Sequence, residues 1–85
     1  MNNARPHAYV RHKELALTTK QTRLLAILWE SQDMGRDLPT VAALSRRFRI
    51  SGPGILAGLK ALRDKGFVEM DGERSRTLKL TGKKP

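Results

Sequence analysis

The feature that most constrains this chain is a change of apolar period at Gly66. Upstream of it, apolar residues recur at helical spacing in three separate runs. Leu24, Leu25, Ile27 and Leu28 with Trp29 form the first, Val41, Leu44 and Phe48 the second, and Ile55, Leu59 and Leu62 the third. Steps of three and four put each set on one side of an α-helix. Downstream, Ser75-Arg76-Thr77-Leu78-Lys79-Leu80 alternates polar and apolar, the period of a strand with one covered face. Phe67-Val68-Glu69-Met70 is the strand it returns along, with Asp71-Gly72 as the turn between them. Three amphipathic helices and then a hairpin make a mainly α order, and 85 residues leave room for one core.

Local signals place the boundaries. Thr18 with Gln21 three residues on is a capping box, so the first helix is predicted from about 19 to 32. It ends in the polar turn Asp33-Met34-Gly35-Arg36-Asp37. Pro39 bars a continuing helix and Thr40 caps the second. Ser51-Gly52-Pro53 opens the third, since proline is tolerated in a first turn, and Gly66 closes it as a left-handed residue. Residues 1–16 hold no sustained period and read as a basic flexible arm with a short helix at 10–16, from which Tyr9 and Val10 can pack back. Residues 17–81 are the domain and 82–85 a basic tail.

Charge narrows the partners. Seventeen Lys and Arg against eight Asp and Glu leave a net +9 and a pI near 10.9. Residues 41–66 alone hold Arg46, Arg47, Arg49, Lys60, Arg63 and Lys65 against Asp64. Charge concentrated in this way marks a docking face for an acidic polymer, with a solvated helix face as the plainer alternative. The absence of cysteine excludes disulfides, thiolate zinc sites and Cys nucleophiles. No apolar run approaches the roughly 20 residues of a membrane span, and the N-terminus has no signal-peptide core. His7 and His12 sit in the arm without a clear carboxylate partner, so neither a metal nor a cofactor is expected. Gly52-Pro53-Gly54 follows no strand and precedes no Gly-Lys-Ser/Thr, so it is no phosphate loop. No nucleophile–base pair is evident, and the chain is not read as an enzyme. These properties predict a cytoplasmic protein, nucleoid-associated in a prokaryote.

Two short helices joined by a tight turn, the second capped by Ser51, read as a helix-turn-helix, and the hairpin directly after makes the fold a winged helix-turn-helix, a three-helix core plus wing. The runs LTTKQTRLLAILWE, LPTVAALSRRFRIS, LKALRDKGFVEM and RTLKLTG resemble the winged-helix core of MarR-type regulators. They are similar also to the DNA-binding domain of LexA-type repressors, above all at Leu59-Lys60-Ala61-Leu62 and Lys65-Gly66. The resemblance covers about residues 15–82. It implies a transcriptional regulator that lays its third helix in the major groove of double-stranded DNA and its wing on the backbone or minor groove. Carried over by position, Ser51, Gly52, Pro53, Gly54, Leu56, Ala57 and Lys60 lie on the presented helix and Arg74 and Arg76 on the wing. Thr40 at the start of the second helix lies near a phosphate. MarR-type regulators dimerise through extra terminal helices and LexA-type repressors through a separate C-terminal domain. Neither is visible here, so a monomer, a homodimer through the arm or first helix with Trp29 or Tyr9 in the contact, and binding to sites in tandem all stay open.

The chemistry of each candidate follows from its type. Ser51 can cap its helix and still donate to a phosphate, beside helix-terminal N–H groups that attract anions. Arg74 and Arg76 flank the turn, where a guanidinium can fork onto phosphate oxygens or enter a narrow minor groove. Lys60 supplies a point charge. Arg46, Arg47 and Arg49 either contact phosphates or complement the dipole of the second helix. One departure stands out: after Ser51 the run Gly52-Pro53-Gly54-Ile55-Leu56-Ala57-Gly58 has no hydrogen-bonding side chain to match base edges. Either close backbone approach and thymine-methyl contacts replace that readout, or the Gly/Ala/Leu face meets a protein partner. RNA binding through the same basic residues is a third reading. Three glycines in the helix also cost up to about 1 kcal/mol each relative to alanine, which calls for a compensation.

Overall fold

The computed structural model describes residues 16–84. The predicted arm, apart from Ala16, lies outside the described residues, as do its short helix, Tyr9, His7, His12 and Pro85. Helix α1 spans Thr19–Asp33, α2 Val41–Phe48 and α3 Gly52–Asp64, followed by strands β1 (Val68–Asp71) and β2 (Arg74–Leu80) in one antiparallel sheet. The mainly α order with a small hairpin matches the expected winged helix-turn-helix.

Each helix starts where a hydroxyl satisfies an orphan donor. Thr18 Oγ1 accepts from the Gln21 N–H at 3.1 Å while Gln21 Oε1 accepts from the Thr18 N–H, completing the capping box. Thr40 Oγ1 accepts from the Ala43 N–H at 3.1 Å, and Ser51 Oγ from the Gly54 N–H at 3.2 Å. The turn between α2 and α3 is tight because Arg49 adopts the left-handed region, φ 57° and ψ 42°. The N–H groups of Arg49 and Ile50 both reach the Ser45 carbonyl, and the Ser45 hydroxyl donates back to the Ile50 carbonyl. Ser45 therefore clasps the turn from both directions, a role its place in the sequence did not announce. Gly66, at φ +86°, closes α3 as expected.

The core is built from all five elements. Leu24, Leu25 and Leu28 of α1, Leu44 of α2 and Ile55, Leu59 and Leu62 of α3 are buried together with Phe67, Val68, Met70 and Leu78. No polar or charged residue is buried among the described residues. Helix α3 is the hub, packing on α1, α2 and β1. Burying a leucine stabilises by about 1.5–3 kcal/mol, so the hub's three fully buried aliphatics anchor the fold and fix α3's outward face.

Two of the three α3 glycines are explained by this packing. A Cβ on Gly58 would stand 2.6 Å from Leu24 Cδ1, and one on Gly54 would stand 2.7 Å from Ile50 Cγ2 and 3.2 Å from Ser51 Oγ. Gly58 lets α1 and α3 approach, and Gly54 lets α3 close onto the turn. The helix-propensity cost of these glycines is offset inside the domain rather than at an interface.

The hairpin corrects the expected turn. Asp71 belongs to β1 and pairs with Arg74, so the loop is Gly72-Glu73, with Gly72 at φ +59°. Glycine with positive φ at the first loop position and a non-glycine with negative φ at the second is the pattern of a type II′ turn. Nor is β2 a plain alternating strand. Val68 faces Leu80 and Glu69 faces Lys79, yet Asp71 faces Arg74, so Met70 alone spans residues 75–78. Thr77 closes this bulge: its Oγ1 accepts from the Asp71 N–H at 2.8 Å and donates to the Arg74 carbonyl at 2.7 Å.

Candidate nucleic-acid interface

On α3, a rotation of about 100° per residue sets Pro53, Ala57, Lys60 and Asp64 opposite the buried stripe. Ser51, Pro53 and Ala57 are exposed, Leu56 is half-buried against the core, and Gly58 is buried. The outward face thus presents small apolar surface before Lys60. It offers few backbone donors too. Pro53 has no N–H, and the Gly54 N–H is taken by Ser51, which leaves Gly52 as the one open donor of that first turn.

The N-terminus of α2 is better supplied. Thr40 occupies the Ala43 N–H, while those of Val41 and Ala42 have no partner among the described residues. A groove beside it is lined by Asp37, Leu38, Pro39, Thr40, Ser75, Arg76 and Leu78. It joins the start of α2 to the bulged part of β2, so the structure brings two of the predicted site residues, Thr40 and Arg76, to one place.

The basic side chains divide into two groups. Lys60 Nζ bonds Glu73 Oε2 at 3.2 Å, and Arg63 Nη1 donates to the Gly72 carbonyl at 2.7 Å while its other nitrogens reach Asp64. Lys65 Nζ donates to the Ala16 carbonyl and to Gln21 Oε1, both at 2.7 Å, tying α3 to the start of α1. Lys83 Nζ bonds the Lys65 carbonyl and lies 4.6 Å from the Phe67 ring centroid, and Lys84 lies 4.6 Å from that of Trp29. Trp29 packs half-buried on the core, its Nε1 without a partner among the described residues.

Exposed and without a side-chain partner among the described residues are Arg46 and Arg47 at the end of α2, Arg49 in the turn, and Arg74 and Arg76 on the wing, together with Lys20 and Arg23 on α1, Arg36 after it and Lys79 on β2. Three of the six basic residues between 41 and 66 are therefore engaged within the domain. The other three sit at the end of α2 and in the turn that follows, and Arg74 and Arg76 add two more on the wing. Sequence reasoning missed Arg63 and Glu73, which set the wing's position; the signal available was their placement within one turn of Lys60 and at the hairpin loop.

Among the described residues no group of three or more His, Cys, Asp and Glu is placed to hold a metal ion. The largest exposed apolar side chain described is Met34, in the turn after α1.

Comparison with known proteins bears on what this surface serves. The family model described as the LexA DNA-binding domain matches residues 14–77. The LexA repressors of Thermotoga maritima and Thermotoga petrophila are each 34% identical to this chain over 65 residues, covering 76% of it and 33% of the relative. The chain spans about a third of the length of these curated relatives.

Proposed function

Because the chain belongs to the family of LexA DNA-binding domains, we propose that it acts as the double-stranded-DNA-contacting domain of a transcriptional repressor. In this reading α3 enters the major groove, the start of α2 rests on one phosphate strand, and the wing reaches the flanking backbone or minor groove. The observation that carries the reading is the sorting of charge. Lys60, Arg63 and Lys65 have protein partners, while Arg46, Arg47, Arg49, Arg74 and Arg76 stand exposed without one among the described residues.

The parts have distinct duties. Thr40 keeps its hydroxyl proton for a phosphate oxygen beside the Val41 and Ala42 N–H groups, and Arg76 flanks the same groove. Arg74 and Arg76 grip backbone or minor groove, and Arg46, Arg47 and Arg49 the opposite strand. Ser51, Gly52, Pro53 and Gly54 bring the start of α3 close to the groove wall. Leu56 and Ala57 present methyl groups to thymine methyls. With no amide or guanidinium on that face, selectivity rests on apolar fit, wing contacts and duplex deformability. Bound at a promoter, such a domain excludes polymerase, and DNA as partner places it on the nucleoid. No helix among the described residues is long and apolar enough to cross a membrane.

Docking on a protein through the Gly/Ala/Leu face draws less support, since Gly58 is buried against Leu24 and only Ala57 of that face is fully exposed. The test is titration onto random duplex DNA and a genomic fragment library across a salt series, with a variant carrying Arg74→Ala and Arg76→Ala. Each phosphate contact contributes about 0.9 to the slope of log affinity against log salt, so the double variant is expected to lose between one and two units of slope. Enriched fragments together with that loss support the reading. No duplex binding at low salt overturns it, and tighter binding to structured RNA replaces the duplex with RNA.

A further inference from the structure

Glu73 is an acid in the two-residue loop of the wing, beside Arg74 and across from Lys60 of α3. It is held there by two contacts. Arg63 Nη1 grips the carbonyl of Gly72 at 2.7 Å, and one helical turn earlier Lys60 Nζ meets Glu73 Oε2 at 3.2 Å. Residues 60 and 63 of α3 thus contact residues 73 and 72 of the loop, respectively. The type II′ geometry makes this register possible, because Gly72 takes a positive φ and turns its carbonyl toward α3. The pair is not a stability device: Lys60 and Glu73 side chains are 39% and 67% exposed, and an exposed pair of that kind adds little to folding. A solvent-exposed carboxylate beside the one cation on α3's outward face has another consequence. It cancels that cation toward an approaching phosphate, so the pair presents no net charge at the rim.

We propose that Glu73 is a specificity-determining residue that restrains sequence-independent DNA binding by neutralising Lys60 at the wing loop. The inference rests on the DNA-binding reading above. Random duplex attracts the domain through charge alone, so cancelling one cation lowers that background by the full electrostatic effect. A site whose shape seats α3 and the wing gains contacts that do not depend on Lys60, so its affinity falls less. Specificity is a difference of affinities, and a repulsive element raises it as surely as an attractive one.

The test uses the whole chain, with Glu73→Gln, Lys60→Gln and the double variant titrated onto random duplex DNA and onto the fragments the wild type enriches. Circular dichroism melts accompany each variant to establish that it folds. Glu73→Gln is expected to bind random duplex about three- to tenfold more tightly at low salt, with a salt slope steeper by about one. Its ratio of enriched-fragment to random binding falls. Lys60→Gln is expected to cost more in the Glu73→Gln background than in the wild type, because only there is the ammonium open to phosphate. Wild-type binding with a Glu73→Gln affinity, slope and ratio unchanged overturns this inference and leaves DNA binding standing. Absence of wild-type duplex binding overturns the reading beneath it and this inference with it.

Discussion

Replacing Gly58 with alanine tests how the helices are brought together. Alanine is the better helix former by about 1 kcal/mol, so propensity alone predicts a more stable protein. The structure predicts the opposite. The new methyl would sit 2.6 Å from Leu24 Cδ1, whereas carbon atoms rest at about 3.5–4.0 Å, so about 1 Å must be found by displacement. Leu24 is fully buried among Leu28, Ile55, Leu59 and Leu62, and its side chain has no solvent to swing into. Overpacking of this kind costs about 1–3 kcal/mol. After the propensity gain, a net loss of about 1 kcal/mol is expected, or about 4–8 °C in melting temperature for a domain of this size. Gly52→Ala is the internal control: its Cβ would meet only Val41 Cγ1 at 3.8 Å, an ordinary contact. That variant is expected to gain about 0.4–1 kcal/mol through a less flexible unfolded chain. Thermal melts of the two variants should move in opposite directions. A Gly58→Ala protein as stable as the wild type would refute the close-approach argument. So would a Leu24→Val, Gly58→Ala double variant showing no coupling, since the shorter side chain removes the clashing methyl.

Two further substitutions separate folding from binding. Arg49→Gly removes a left-handed non-glycine residue, relieving about 1 kcal/mol of strain against a similar entropic cost, so stability should stay within about 0.5 kcal/mol. Duplex affinity at low salt should nevertheless fall about threefold or more, and unchanged affinity would assign Arg49 to the turn alone. Thr77→Val keeps the side-chain shape but strips the hydroxyl that links the Asp71 N–H to the Arg74 carbonyl. We expect a loss of about 1 kcal/mol in denaturant titrations, together with weaker DNA binding as Arg76 is re-aimed. Full affinity in that variant would show that the bulge does not position Arg76.

The helices were legible because their determinants are local. Thr18 with Gln21, Thr40 and Ser51 each act on a donor three residues away, and each apolar stripe lies within one element. The wing was legible as a hairpin but not in register. Its alternation in Ser75–Leu80 is real in composition, yet Thr77 ties back to Asp71 and lifts residues 75–78 out of simple pairing. The glycines showed their cost without their reason, since the atoms that require them, Leu24 Cδ1 and Ile50 Cγ2, belong to other elements. Charge counting had the same blind spot. Six basic residues between 41 and 66 look alike in sequence, and only tertiary contacts reveal that Lys60, Arg63 and Lys65 are engaged within the domain.

That division also resolves the tension posed by an α3 without base-reading side chains. In the proposed docking, affinity comes from arginines on the turn and the wing, flanking the helix rather than lining it. The helix between them then has one task, to fit. Pro53 and Ala57 are small enough to let it sit deep, and Gly54 and Gly58 hold it against Ile50 and Leu24 so that depth does not vary. Arg63 meanwhile ties the wing loop to that same helix through the Gly72 carbonyl, and β1 packs on α3, so in this docking the two arginine groups keep a constant separation. A rigid spacing between phosphate grips reads groove width and bend, which differ with sequence even where no side chain touches a base. Selectivity in this domain is therefore argued to reside in the contacts that hold α3 and the wing together as much as in any residue that faces the groove.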